Sequence, residues 1–238
     1  MSIVSLLSRS VTTLRDNPAI ALPLLVSGLL VALLALALFG SMVPTMAMMG
    51  TGGPEMAGMA LWRGVVLLVV GGVLSLLAHG MTVLMAGDAL ESGSTSLKGA
   101  WNRSLARIVP LLIAAASVAA LATVGTLLLI IPGIIISFFL MFTFVALMLD
   151  DLGAFQAIGA SLRVVRDNFA VVFVLFLVMV ALGVLAGVVS TVLALIPAVG
   201  GLLGALVNAA YVTYLTIFVV TAYRDITSLE EGTPDVEV

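Results

Sequence analysis
The chain has 238 residues, 63% of them hydrophobic and 9% charged, with a mean hydropathy of +1.34 and a formal net charge of −3. Ordinary soluble domains carry about 45–50% apolar and about 25% charged residues, so a soluble globular domain is excluded and an integral membrane protein is indicated. The acidic balance leaves no basic face to neutralise nucleic-acid phosphates, and the absence of cysteine removes disulfides, thiolate metal sites and thiol nucleophiles.

In chain order, residues 5 to 17 (SLLSRSVTTLRDN) read as a short amphipathic helix in which Val4, Leu7, Val11 and Leu14 share a face. A charge-free apolar run follows at 18 to 39, long enough to span a bilayer. It exceeds the 7–15 residues of a signal-peptide core and is read as a retained helix. The segment 42 to 59 then holds six methionines in eighteen residues. Thioethers suit Cu(I), but the spacing is irregular and no histidine or cysteine assists, so a surface flap of adaptable side chains is the plainer reading.

A second span is expected at 64 to 86, a second amphipathic segment at 96 to 107 (Leu97, Ala100, Trp101 and Leu105 on one face), and spans at 108 to 131 and 133 to 149. Only Ile131-Pro132-Gly133 separates these last two, which predicts a tight hairpin, since proline and glycine both disfavour an uninterrupted helix. The third amphipathic segment, 154 to 168, places Phe155, Ile158, Leu162 and Val165 together, and spans at 169 to 196 and 201 to 223 flank the turn Pro197-Ala198-Val199-Gly200.

Six spans put both termini on one side, together with eight of the nine basic residues: Arg9, Arg15, Lys98, Arg103, Arg107, Arg163, Arg166 and Arg224. Only Arg63 falls opposite. The positive-inside rule therefore predicts a multi-pass protein of the cell membrane with both termini in the cytoplasm. Every odd-numbered span follows an amphipathic segment, two of which end in Arg-Asp-Asn (15 to 17 and 166 to 168). Every even-numbered span closes on acid: Asp88, Asp150 with Asp151, and Asp225. The chain thus reads as one all-α transmembrane domain, 1 to 226, of three parallel pseudo-repeats at about 1–91, 92–151 and 152–226, followed by a disordered acidic cytoplasmic tail, 227 to 238. Ion pairs are expected from Asp88, Asp150, Asp151 and Asp225 to Arg15, Arg107 and Arg166, while Arg163 and Arg166 meet headgroup phosphate.

The stretch IIPGIIISFFLMFTFVALMLDDLGAFQAIGASLRVVRDNF, 130 to 169, resembles uncharacterised bacterial and archaeal polytopic membrane families. These are similar to the membrane domain attached to some glycerophosphodiester phosphodiesterases. The resemblance implies a six-helix or similar membrane domain of no established chemistry, and no catalytic residue carries over.

Three intramembrane polar groups stand out: His79, the sole histidine, with Asn208 and Tyr211. A single histidine with no intramembrane carboxylate supplies neither an acid–base pair nor a zinc site, so a neutral, hydrogen-bonded imidazole is the plainer reading. No nucleotide loop or Ser-His-Asp set is present. No catalytic role and no cofactor are expected, and the only metal idea beyond the methionine segment is an interfacial site from Asp88, Asp150 and Asp151. The leading expectation is a non-enzymatic scaffold or accessory subunit contacting lipid headgroups, a protein partner or further copies of itself. The alternative is a transporter or channel lined by His79, Asn208 and Tyr211, and a lipid hydrolase rests on the resemblance alone.

Overall fold
The computed structural model describes residues 3–39, 54–128, 130–196 and 200–231, and among them every regular element is a helix. Helix α1 (Ile3–Asp16) leads through a short 3-10 turn (Pro18–Ala21) into α2 (Leu22–Phe39). Then come α3 (Pro54–Ser92), α4 (Leu97–Ala106), α5 (Ile108–Leu128), α6 (Ile130–Phe139), α7 (Thr143–Leu149), α8 (Ala154–Asp167), α9 (Phe169–Ala194) and α10 (Gly200–Glu231). Five stretches are long and apolar enough to cross a membrane, α6 and α7 counting as one, and α4 with α5 adds a sixth that is bent by 70°.

The bend follows from a single non-helical residue. Arg107 has φ −107° and ψ 14° between α4 and α5, and Asn168 has φ −118° and ψ 33° between α8 and α9. Asn17, after α1, has φ −127° and ψ 66°. Seven residues before each of these junctions lies a small side chain with no exposed surface, Ser10, Ala100 or Ser161. Small residues permit close backbone approach, and this lets each short helix lie against the bundle. The three short helices pack on α10, α3 and α7 respectively.

Inside, α3, α7 and α10 meet one another, and their contact builds the core. Val83, Met85, Phe142, Leu147, Ile217 and Phe218 are fully buried, and the rings of Phe142 and Tyr223 lie 5.5 Å apart. Burial of large side chains is concentrated toward one end. Leu61, Trp62 and Leu68 of the same α3 are 72%, 69% and 75% exposed, an apolar surface that only lipid solvates well.

Several expectations are corrected. Helix α6 begins at Ile130, so the expected turn residues Pro132 and Gly133 sit instead in its first helical turn, where a missing N–H costs nothing. The span expected at 133 to 149 is broken at Leu140–Phe142, between α6 and α7. Helix α3 starts at Pro54 and takes in the end of the methionine-rich segment; residues 42 to 53 lie outside the described residues. Helix α10 runs to Glu231, five residues into the expected tail. No proline or glycine interrupts it there, and Thr227 Oγ1 donates to Tyr223 O at 2.9 Å; the remainder, 232 to 238, lies outside the described residues.

The expected apolar faces divide. Val165 and Ala100 are buried, whereas Val4, Trp101 and Phe155 are 74%, 44% and 74% exposed. Packing on small residues turns the large ones outward.

The close approach at Gly80 yields a stability prediction. A β-carbon there would meet Met148 Cε at 2.9 Å, Ser104 Oγ at 3.3 Å and Leu111 Cδ2 at 3.4 Å, whereas one at Gly72 meets nothing within 4 Å. Gly80→Val is expected to cost about 1–3 kcal/mol, as overpacking does, and Gly72→Val to stay within about 0.5 kcal/mol. Reversible detergent unfolding measures both, and equal losses would contradict this packing.

Candidate functional site
A polar hollow lies at the end of the bundle that carries the short helices. Its cavity of about 360 Å³ is bordered by Asp88 and Glu91 of α3, Arg103 of α4, the junction residue Arg107, Asp151 and Arg224 of α10, over a floor that includes Leu84 and Met148. Three acids face three arginines, and each has a partner. Arg103 pairs with Asp88, Arg224 pairs with Glu91, and Arg107 Nη2 reaches Asp151 Oδ1 at 2.8 Å.

Arg107 does more than pair. Its Nη1 donates to Leu147 O at 2.7 Å and Leu152 O at 3.2 Å, so one guanidinium holds carbonyls at the end of α7 and just beyond it. A helix C-terminus carries partial negative charge and orphan carbonyls, and both favour a cation. Asp151 is in the left-handed region at φ 57°, which aspartate tolerates better than most side chains. That turn brings its carboxylate back to Arg107.

A further pair joins the first helix to the last. Arg9 Nη1 of α1 meets Asp225 Oδ1 of α10 at 2.9 Å, and Tyr214 Oη of α10 donates to Leu7 O at 3.4 Å. The acid ending α3 is thus taken by α4, and the acid ending α10 is taken by α1. Asp150, ending α7, instead accepts from Tyr223 Oη. The physical reason lies in α8, which carries Ala160 and Val164 where α1 has Arg9 and α4 has Arg103, counted back from their junctions.

Of the ion pairs expected, only Arg107 with Asp151 forms. Asp225 and Asp88 find Arg9 and Arg103, which lie nearer the middle of their helices. Arg166 pairs along its own helix with Asp167 at 3.0 Å, and neither Arg15 nor Arg163 has an ion-pair partner among the described residues. Asp88, Asp150 and Asp151 each face a different side chain, and no acidic set suited to a metal ion occurs among the described residues. His79 packs edge-on to Phe144 at 5.9 Å, Tyr211 Oη donates to Met179 O at 3.4 Å, and Asn208 is exposed on α10. None of these three borders the cavity.

Glu91 and Tyr223 went unremarked in the sequence. Glu91 lies three residues after Asp88, so a helix brings both to one face; nothing comparable marks Tyr223. Comparison with protein-family models, with curated proteins and with solved structures finds no match.

The arrangement ranks the arginines. Arg103→Gln removes one exposed pair and is expected to cost about 0.2–1 kcal/mol. Arg107→Gln also frees two carbonyls and is expected to cost about 1–3 kcal/mol. Unfolding in detergent tests the order, and a larger loss for Arg103→Gln would refute the capping role.

Proposed function
We propose that this protein is a non-enzymatic multi-pass protein of the cell membrane, a scaffold or accessory subunit whose cytoplasmic face engages anionic lipid headgroups. In this reading its six spans form three hairpins, each preceded by a short amphipathic helix lying at that face. The likeness of residues 130 to 169 to membrane domains of glycerophosphodiester phosphodiesterases is compatible with it, and adds no activity.

One observation carries the reading. Each short helix keeps one exposed cation without an ion-pair partner among the described residues: Arg15 on α1, Lys98 on α4 and Arg163 on α8. The same helices expose Val4 and Val11, Leu97 and Trp101, and Phe155 and Leu162. Apolar side chains that enter acyl chain beside cations that meet phosphate are the composition of an interfacial helix. Each such cation contributes about 1 kcal/mol near an anionic leaflet. A protein partner or a second copy would use the same face.

Two experiments test this. In nanodiscs of mixed phosphatidylcholine and phosphatidylglycerol, the full chain is expected to enrich the anionic lipid around itself. The combined Arg15→Gln, Lys98→Gln, Arg163→Gln variant is expected to lose that enrichment, while Arg9→Gln keeps it. Spin-labelled lipids read the difference, and equal partitioning in the parent protein would reject the reading. Solute flux in proteoliposomes that vanishes on His79→Leu or Asn208→Leu, with folding intact, would favour transport instead.

Topology is tested separately. The chain has no cysteine, so a single Ser94→Cys in the exposed connection before α4 is expected to react with a membrane-impermeant maleimide only when the cytoplasmic face is opened. Labelling in intact cells would reverse the orientation.

A further inference from the structure
An apolar groove of about 190 Å³ runs along the seam between α2 and α3 and ends beneath α4. Pro23, Ser27 and Leu30 form one wall, Ala78 and Met81 the other, and Trp101 of α4 stands across the end. Lys98 follows Leu97, which with Trp101 borders the groove from α4, and is exposed with no ion-pair partner among the described residues. The other basic side chains of this junction, Arg103 and Arg107, are committed to Asp88 and Asp151.

We propose that this groove is a binding site for one anionic phospholipid, with an acyl chain along the α2–α3 seam and the phosphate on Lys98. This rests on the headgroup reading above and names where one lipid is held. The groove offers a lipid chain a slot with two helical walls and an aromatic end, whereas the smooth outer faces of α2 and α9 offer only one side. Tryptophan favours the headgroup level, where its ring is apolar and its N–H is wet. The Lys98 ammonium supplies the preference for a negative headgroup, since among the described residues it is the one cation of α4 that no carboxylate pairs with.

The chain has two tryptophans, so Trp62→Phe leaves Trp101 as the sole reporter. Full-length Trp62→Phe in phosphatidylcholine vesicles would be titrated with phosphatidylglycerol brominated at mid-chain, and separately with phosphatidylcholine brominated alike. Quenching of Trp101 by the anionic lipid is expected to reach half its maximum at about one-fifth of the mole fraction the zwitterionic lipid needs, the factor given by one basic residue near an anionic surface. Lys98→Gln, a change at an exposed side chain, is expected to bring the two curves together. Ser27→Leu, which fills the groove and keeps Lys98, is expected to lower maximal quenching by both lipids.

Coincident curves in the parent, or a preference unaltered by Lys98→Gln, overturn the site. Unchanged quenching in Ser27→Leu overturns the groove as the place of the chain. If Lys98→Gln leaves the Trp101 preference intact while the triple variant still loses annular enrichment, this site fails and the headgroup reading stands. If the parent shows neither preference nor enrichment, both fail.

Discussion
A helix that turns within or beside a bilayer frees backbone amides and carbonyls that lipid cannot satisfy, and this structure is organised around answering that cost. At the break between α6 and α7, Ser161 Oγ of α8 donates to Phe139 O at 2.8 Å and accepts from Phe142 N at 3.2 Å. One hydroxyl therefore bridges the gap and fastens α8 to it. At the end of α7 the guanidinium of Arg107 takes Leu147 O and Leu152 O, and at the end of α8 Asn168 Nδ2 reaches Val164 O at 3.3 Å. Even Arg63, at the opposite end of the bundle, donates to Leu38 O near the end of α2 at 2.9 Å. In this low-charge chain, polar side chains recur where the backbone is interrupted.

Those answers set the helix order. A side chain that repairs a break on another helix joins the two, so Ser161 ties α8 to the α6–α7 break and Arg107 ties the α4–α5 junction to the end of α7. The pairs Arg103 with Asp88 and Arg9 with Asp225 extend the same linkage to α3, α4, α10 and α1. Each exposed pair is weak alone. Together they lie at the end where α3, α7 and α10 bury their apolar faces, so they act where close packing already holds the backbones in place. Among the described residues, the opposite halves of α2, α3 and α9 hold no ion pair and little burial, and they present mostly aliphatic surface.

The sequence makes the number of long apolar stretches and the positions of the short helices legible, because both depend on local pattern. Predicted bounds of 96 to 107 and 154 to 168 differ from Leu97–Ala106 and Ala154–Asp167 by one residue at each altered end. What local pattern cannot show is which face a neighbour claims. Helical phase groups Phe155 with Val165, yet the fold buries Val165 and leaves Phe155 outside, because the neighbour fits against Ala157 and Ser161. The same limit hid the arginine partners. Arg15 and Arg166 enter odd-numbered spans, and a depth shared with the acids that close the even-numbered spans favoured them, whereas the acids of α10 and α3 are reached by Arg9 and Arg103. The break at Leu140–Phe142 has no glycine or proline to announce it. What bonds across it is a serine on another helix, Ser161.

Division of the cations follows from this geometry. A short helix packed on the bundle has one flank toward the protein and one exposed, and a cation on each flank meets a different environment. On α1, Arg9 faces Asp225 while Arg15 stays unpaired among the described residues; on α4, Arg103 faces Asp88 while Lys98 does so. On α8 the inward position is Ala160, and Asp150 is held by Tyr223 instead. Among the described residues Asp150 accepts from a phenol and has no ion-pair partner, whereas the acids beside α1 and α4 are each paired with an arginine. Whatever common plan underlies the three short helices, the charge pattern at α8 differs from the one that α1 and α4 share.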